Sequence, residues 1–411
     1  MLPSRIVAVL GALVMLAICY ALSSNRRGVS LKLVLWGVGL QWAFAVFFLW
    51  VPWGEQGLDA VADVVTAVLS KSYEGSAFVF GALGAPGGGN SNLGVIFAFQ
   101  ILPTIVFVAA LFSILYHLGV MQKIVGVLAW LMVRTMGTSG AESLSVGASV
   151  FMGQTEAPLT IRPFLARLTK SELFLVMVSG MATVSGAILA AYVAIGGVEM
   201  RLLLAAVAMT APICVVTAKL MVPEDDKPDT LGQGEIELPR DPDSNVLLAA
   251  ANGTTDGLKL AVNVGAMLIV FIALVALINS GLGLIEIGGE GLTLQRMLGW
   301  VFAPIAWLMG VPWTDCPEVG NVLGTRAILN ELIAFDELQR VGPMIDARSS
   351  AIAVFAVCGF ANVSSIGIQI GGLGALAPER RADISKLGVR ALIAATLANF
   401  STACVAGALL A

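Results

Sequence analysis

The sequence predicts an all-α polytopic membrane protein with eight transmembrane helices, two opposed re-entrant hairpins, interfacial helices and an inverted repeat. Three observations carry that expectation. Of 411 residues, 58% are hydrophobic and 12% charged, whereas a soluble chain uses about 25% charged residues to cover its surface. Long runs lack any Asp, Glu, Lys or Arg, and two stretches of the chain repeat one another. The composition also excludes several classes. A net charge of −4 without a basic cluster argues against a nucleic-acid partner. The 45 glycines have no period, and five cysteines are too few for a disulfide scaffold. Cys19, Cys214, Cys358 and Cys404 lie inside apolar runs and read as packing residues.

The uncharged runs cover 6–22, 33–52, 95–116, 173–198, 202–218, 260–285, 351–378 and 391–411, each close to the length of about 20 residues that a spanning helix needs. The first run follows Arg5 as a secretory leader would, but it is longer than the usual leader core and seven more spans follow. A further run, 297–313, contains Pro304 and Pro312. Lysine and arginine placement decides it. With the N-terminus outside, sixteen basic residues fall on the inner face, and seven (Arg5, Lys71, Arg201, Arg296, Arg326, Arg340 and Arg348) on the outer. A crossing at 297–313 would move Arg380, Arg381, Lys386 and Arg390 outside and spoil the asymmetry. That run is therefore expected at the interface, with both termini outside the cytoplasm.

Segments 55–70, 121–136 and 244–258 are amphipathic and read as interfacial helices; the first sets Asp59 and Asp63 four apart, with Leu58, Val61, Val65 and Val68 on other faces. Residues 223–245, acidic with four prolines, read as a solvated linker. Lys219 and Lys259, at span ends, are expected to snorkel. His117, the single histidine, ends an apolar run and is expected to be solvated there.

Residues 121–137 (MQKIVGVLAWLMVRTMG) resemble 294–310 (LQRMLGWVFAPIAWLMG), and Gly180–Gly186 resembles Gly359–Ser365 with Gly, Ala, Val and the first Ser shared. Similar words in the same order mark a duplicated unit. The chain divides into 1–120, mainly scaffold spans; 121–222, the first repeat; 223–293, acidic loop, interfacial helix and scaffold span; and 294–411, the second repeat. The first copy starts inside and the second outside, an inverted-topology plan found in secondary transporters.

Each copy is interrupted twice. Segments 138–168 and 314–346 are too polar to span and return to the side they left, with turns at Gly153–Pro158 and Asn330–Glu331. Small polar runs, Thr183–Gly186 and Asn362–Ser365, fall mid-span and favour local unwinding. Backbone at membrane depth is tolerated where it lines protein or water, so four breaks meeting near the midplane form a polar site. A lone Ser185 or Ser364 is explained by helix packing. Glu156 and Glu331 are not, because a carboxylate inside a membrane is costly and functional by default.

At Gly153–Pro158, Asn330–Leu332 and Gly359–Ser365 the sequence resembles the concentrative nucleoside transporter family, and the likeness extends over essentially the whole chain, including Ser24–Arg26 and Val51–Trp53. The resemblance implies a trimer of eight-span protomers in a bacterial inner membrane, with a mobile elevator-type transport domain. It assigns Gln154, Thr155 and Glu156 to the nucleobase, with Ile188 packed beside it. It assigns Glu331, Asn362 and Ser365 to the ribose hydroxyls, with Phe360 against sugar or base. Its cation site maps onto Ser149, Met152, Thr183 and Val184. The resemblance implies sodium as the coupling ion; sodium-coupled members carry asparagine where this chain has Ser149, and that departure leaves a proton as the alternative. No other cofactor is implied.

Other functions fit less well. An elevator carrier for a different small polar solute is the alternative; for an anionic substrate, a basic side chain at the turns would be expected in place of Glu156 and Glu331. Gly137-Thr138-Ser139-Gly140 resembles an intramembrane serine protease motif, but the base it needs has only His117 as a candidate. No phosphate-cradling G-x-x-x-x-G-K-[ST] loop occurs. A passive channel would lack saturable uptake and counterflow.

Overall fold

The computed structural model describes residues 4–86, 96–232, 243–287 and 289–410. Helix α1 (Ser4–Ala21) is followed by α2 (Leu31–Trp50), whose start is fixed by Ser30 accepting the Leu33 N–H, and by α3 (Pro52–Ser70), opened by a proline at its first position. Next come α4 (Ser72–Phe80), a π-turn at Phe97–Ile101 leading into α5 (Leu102–His117), and α6 (Val120–Met136). Gly119 and Gly137 bound α6 at φ 76° and 70°, a left-handed conformation open to glycine.

The first hairpin begins with α7 (Gly140–Ser149), held by a capping box between Ser139 and Glu142. Its return limb, Ala157–Arg167, is a kinked 3-10 stretch because Pro158 and Pro163 cannot donate to an α-helical ladder. A second capping box, Thr169 with Glu172, starts α8 (Lys170–Ala182). After a break come α9 (Gly186–Gly196), α10 (Met200–Met221) and the 37-residue α11 (Val246–Leu282). A two-residue antiparallel ladder, Glu286–Ile287 with Glu290–Gly291, precedes α12 (Leu294–Leu308). The second hairpin is α13 (Cys316–Ile328) and α14 (Glu331–Val341); then come α15 (Ala347–Val357), a second break, α16 (Val363–Leu376) and α17 (Arg381–Leu409).

Among the described residues six helical stretches are long and apolar enough to cross a membrane, namely α1, α2, Phe97–His117, α10, α11 and Pro378–Leu409. The other two expected spans are the split pairs α8/α9 and α15/α16. Each half is about 16–21 Å long at 1.5 Å per residue, too short to cross a core of about 30 Å alone. The series α6, hairpin, broken helix, α10 recurs in order as α12, hairpin, broken helix, α17, which is the duplication seen in the sequence.

Close approach is obtained with glycine. A Cβ at Gly11 would stand 1.9 Å from the Leu308 carbonyl oxygen, and one at Gly37 would stand 2.2 Å from Val216. Gln41 of α2 donates to Thr402 of α17 at 3.2 Å, and Thr402 meets Thr210 of α10 at 3.1 Å, joining three helices through buried polar groups. Arg5 and Arg348 both donate to Leu410 O, and Arg348 also to Gly407 O and Gly310 O. These arginines satisfy carbonyls left open at the end of α17 and bring both ends of the described chain together.

Four expectations are corrected. The segment 244–258 is not a separate interfacial helix: α11 runs unbroken from the Asn245 cap, about 55 Å in all. Gly253 and Gly257 do not interrupt it, because they bring its backbone against α5, where added Cβ atoms would stand 2.6 Å from Ser113 and 2.8 Å from Val106. Lys219 does not snorkel; it is 8% exposed and pairs with Glu142 at 2.7 Å and Glu224 at 3.1 Å. The start of the acidic loop is docked: Asp225 accepts from Asn25, Asp229 pairs with Arg167, and Thr230 accepts the Ala141 N–H. Its Glu235, Glu237 and Asp241 lie outside the described residues. Finally, Arg326 is not a loop cation of one face; it is fully buried.

Candidate functional site

The two hairpin turns and the two helix breaks meet. Phe151 O, at the first turn, accepts the Gly186 N–H that begins α9, and Thr183 O, in the first break, accepts the Phe360 N–H of the second at 3.2 Å. The first break opens where α8 runs out at extended Thr183 (φ −105°, ψ 176°), and the second closes at extended Asn362 (φ −136°, ψ 166°) before α16. Asn362 then restarts the helix as the cap of α16, its side-chain oxygen accepting the Ser365 N–H at 3.0 Å. Asn330 does the same for α14, accepting the Ile333 N–H, and so presents Glu331 in that helix's first turn, where a carboxylate is favoured.

Four of the expected residues join in one buried network. Gln154 Nε2 donates to Ser365 Oγ at 3.2 Å, and Ser365 Oγ lies 3.2 Å from Asn362 Oδ1 and donates to Phe360 O. Asn362 Nδ2 donates to Glu331 Oε2 at 3.1 Å. Gln154, Glu331, Asn362 and Ser365 are all buried, so each polar group is satisfied by another, as groups removed from water must be. Phe360 enters through its carbonyl. Thr155 lies against α16, where a Cβ at Gly372 would stand 2.7 Å from its methyl. Glu156 folds back on its own turn, accepting the Gly153 N–H at 3.1 Å. Ile188 is buried on α9, its N–H donating to Ser185 O. Thus Gln154, Phe360, Asn362, Ser365 and Glu331 are linked, while Thr155, Glu156 and Ile188 border them without joining the hydrogen-bonded chain.

The expected cation residues also come side by side. Ser149 Oγ donates to Ser145 O at 2.8 Å and lies 3.3 Å from Ser179 Oγ, and Thr183 Oγ1 donates to Ser179 O at 2.8 Å. Ser149, Thr183 and Val184 are buried and Met152 half-buried. Two hydroxyls and nearby break carbonyls are the oxygen donors that a hard cation takes. Each hydroxyl spends its proton on a carbonyl and keeps lone pairs to offer.

Four neighbours were not singled out in the sequence. Gln369 donates to Gln154 Oε1 at 3.2 Å; Tyr192 stacks on Phe335 at 4.5 Å; Arg326 and Asn399 bind the breaks themselves. Gln369 and Asn399 are amides inside runs defined by the lack of charged residues, and an amide in such a run is the signal that would have found them. The protease-like Ser139 is a helix cap whose Oγ donates to Glu172.

Comparison with known proteins accords with this geometry. Residues 10–83 and 202–407 match the family described as Na+ dependent nucleoside transporter, N-terminus and C-terminus, and 98–199 match the Gate family, described as nucleoside recognition. An uncharacterized transporter of Haemophilus influenzae is 43% identical over 97% of this chain and 96% of its own length. Sodium/nucleoside cotransporter 1 of Oryctolagus cuniculus is 38% identical over 99% of this chain, which spans 63% of that longer protein. Among solved structures, CNTnw in an inward-facing substrate-bound state is 38% identical, with TM-score 0.92 and 99% of each chain covered. An outward-facing CNTnw carrying an asparagine-to-serine and a glutamate-to-alanine substitution has TM-score 0.93 at 38% identity, covering 99% of this chain and 98% of that one.

Proposed function

The chain belongs to the Na+-dependent nucleoside transporters, a family of multi-pass membrane carriers and not of enzymes, and on that footing we propose that it imports nucleosides across a bacterial inner membrane by a cation-coupled elevator motion. The observation that carries the reading is the joining of Gln154, Ser365, Asn362 and Glu331 in one buried network contributed by both hairpins and the second break. A glutamine amide offers a donor and an acceptor side by side, as the edge of a nucleobase requires, and Glu331 with Asn362 accepts from and donates to vicinal hydroxyls. Substrate takes over the bonds these groups make with one another. An analogue lacking a hydroxyl leaves a buried group unpaired and is rejected strongly.

In this reading Thr155 and Glu156 complete the base contact, Ile188 and Phe360 supply apolar walls, and the repeats 121–222 and 294–411 make the moving body. Trimer assembly and external termini complete the proposal. Sodium takes the position bounded by Ser149, Met152, Thr183 and Val184. The second reading, proton coupling, is favoured by one observation: Ser149 offers only a short hydroxyl, held close to Ser145 O and Ser179 Oγ, toward the cation position.

Uridine uptake into proteoliposomes separates the two, with an inward sodium gradient in one arm and an inward proton gradient in the other. Sodium-driven accumulation is expected. Proton-driven accumulation alone would move coupling to a membrane carboxylate, Glu156 first. Uptake in neither arm, with no uridine binding in detergent, would overturn the nucleoside assignment.

A further inference from the structure

Breaking a helix leaves its last carbonyls without intrahelical donors, and in this fold two breaks do so at one place. Asn399, in α17, donates from Nδ2 to Ala182 O of the first break at 2.7 Å and to Cys358 O of the second at 3.2 Å. Its oxygen accepts from Arg326 Nη2, and Arg326 Nε donates to Gly359 O at 3.4 Å. The chemistry fixes the amide's orientation: a guanidinium only donates and carbonyls only accept, so Oδ1 must face the arginine and Nδ2 the breaks. Arg326 and Asn399 are both fully buried, and the guanidinium lies 5.9 Å from the Phe400 ring centroid, with Nη1 making no hydrogen bond among the described residues. The packing leaves no slack. A Cβ at Gly359 would stand 2.5 Å from Asn399 Oδ1 and 2.7 Å from Ala182 O.

We propose that Arg326 and Asn399 are positioning residues that clasp the two breaks in register, and so couple the cation position at Thr183–Val184 to the nucleoside network at Gln154–Ser365. The path is continuous. Thr183 O holds the Phe360 N–H, Phe360 O holds Ser365 Oγ, and Ser365 Oγ receives Gln154 Nε2. A cation drawing on the first break therefore sets the second, provided the two move as one body. By linkage, sodium tightens nucleoside binding by the factor with which nucleoside tightens sodium binding. The inference rests on the cation-coupled reading given under Proposed function.

The test is calorimetric titration of uridine into the purified full-length protein, in saturating sodium and in choline. Wild type should show a sodium-induced gain of about tenfold or more, within the usual range of coupling between sites. Asn399→Ala should bring that ratio to within about twofold, while affinity in choline stays within about threefold of wild type, because the residue is assigned to the breaks and not to the substrate. If Asn399→Ala does not fold, Asn399→Asp decides: it preserves volume and the arginine's acceptor, removes the donor to both carbonyls, and is expected to lose the ratio equally. A retained ratio in the folded variant overturns the inference and leaves the function standing. Equal losses in sodium and in choline also overturn it, by showing a merely structural role. Uridine binding that ignores sodium in wild type removes cation coupling and the inference together.

Discussion

Replacing Glu331 with alanine is expected to weaken uridine binding by about 2–4 kcal/mol, roughly 30- to 1,000-fold in Kd, the cost of losing hydrogen bonds to a charged acceptor and leaving the substrate's buried donors unpaired. In the substrate-bound state the ribose hydroxyls that the carboxylate would receive face no acceptor. Glu331→Gln keeps the volume and one acceptor oxygen, and should lose about tenfold, since the difference is chiefly that between a charged and a neutral hydrogen bond. Both variants should assemble, because Asn330 and not Glu331 caps α14. Asp336→Asn, on the same helix in a surface pair with Arg340, is the control and should bind as wild type does. Calorimetry on purified protein checks the series. Unchanged affinity in Glu331→Ala would remove Glu331 from the site.

The largest expected effect on stability lies elsewhere. Lys219→Met should destabilise the protein by about 3–5 kcal/mol, because it strands a buried carboxylate that had a partner. The ammonium donates to Glu224 at 3.1 Å and Ser171 at 3.0 Å and stands 2.7 Å from Glu142 as an ion pair. The Glu142 side chain is 3% exposed and cannot turn to water. Glu142 also closes the capping box that starts the first hairpin, so the loss falls on the element that carries Gln154. Thermal unfolding in detergent checks this, and Lys219→Met with Glu142→Gln should recover a large part of the loss, since the pair is removed together. A midpoint unchanged in the single variant would show that the lysine is not holding the hairpin's base.

These two residues also show what a linear reading can and cannot reach. Glu331 was legible because a carboxylate in a short polar return between apolar runs has few explanations, and the breaks were legible because Thr183–Ser185 and Asn362–Ser365 interrupt otherwise apolar spans. Lys219 was misread because one partner, Glu142, stands far along the chain in the hairpin cap, and the other, Glu224, lies five residues on in an acidic loop that read as solvated. Arg326 was misread for a related reason. Counting basic residues by face treats each as exposed, and only the fold shows that its guanidinium meets the Gly359 carbonyl of a break more than thirty residues away. Asn399 carries no charge and left no mark in a search for charged residues. The joined α11 was missed because polar residues at its start suggested a separate helix, whereas no proline occurs between Asn245 and Leu282 and Gly253 and Gly257 are spent on contact with α5.

The most direct test of the nucleoside site is a density map of the protein with uridine bound. Density for the base against Gln154 and for the ribose against Glu331 and Asn362, with the Gln154–Ser365 and Asn362–Glu331 bonds replaced by bonds to substrate, is the result expected. Uridine density away from both hairpin turns, with that network still closed, would contradict the account.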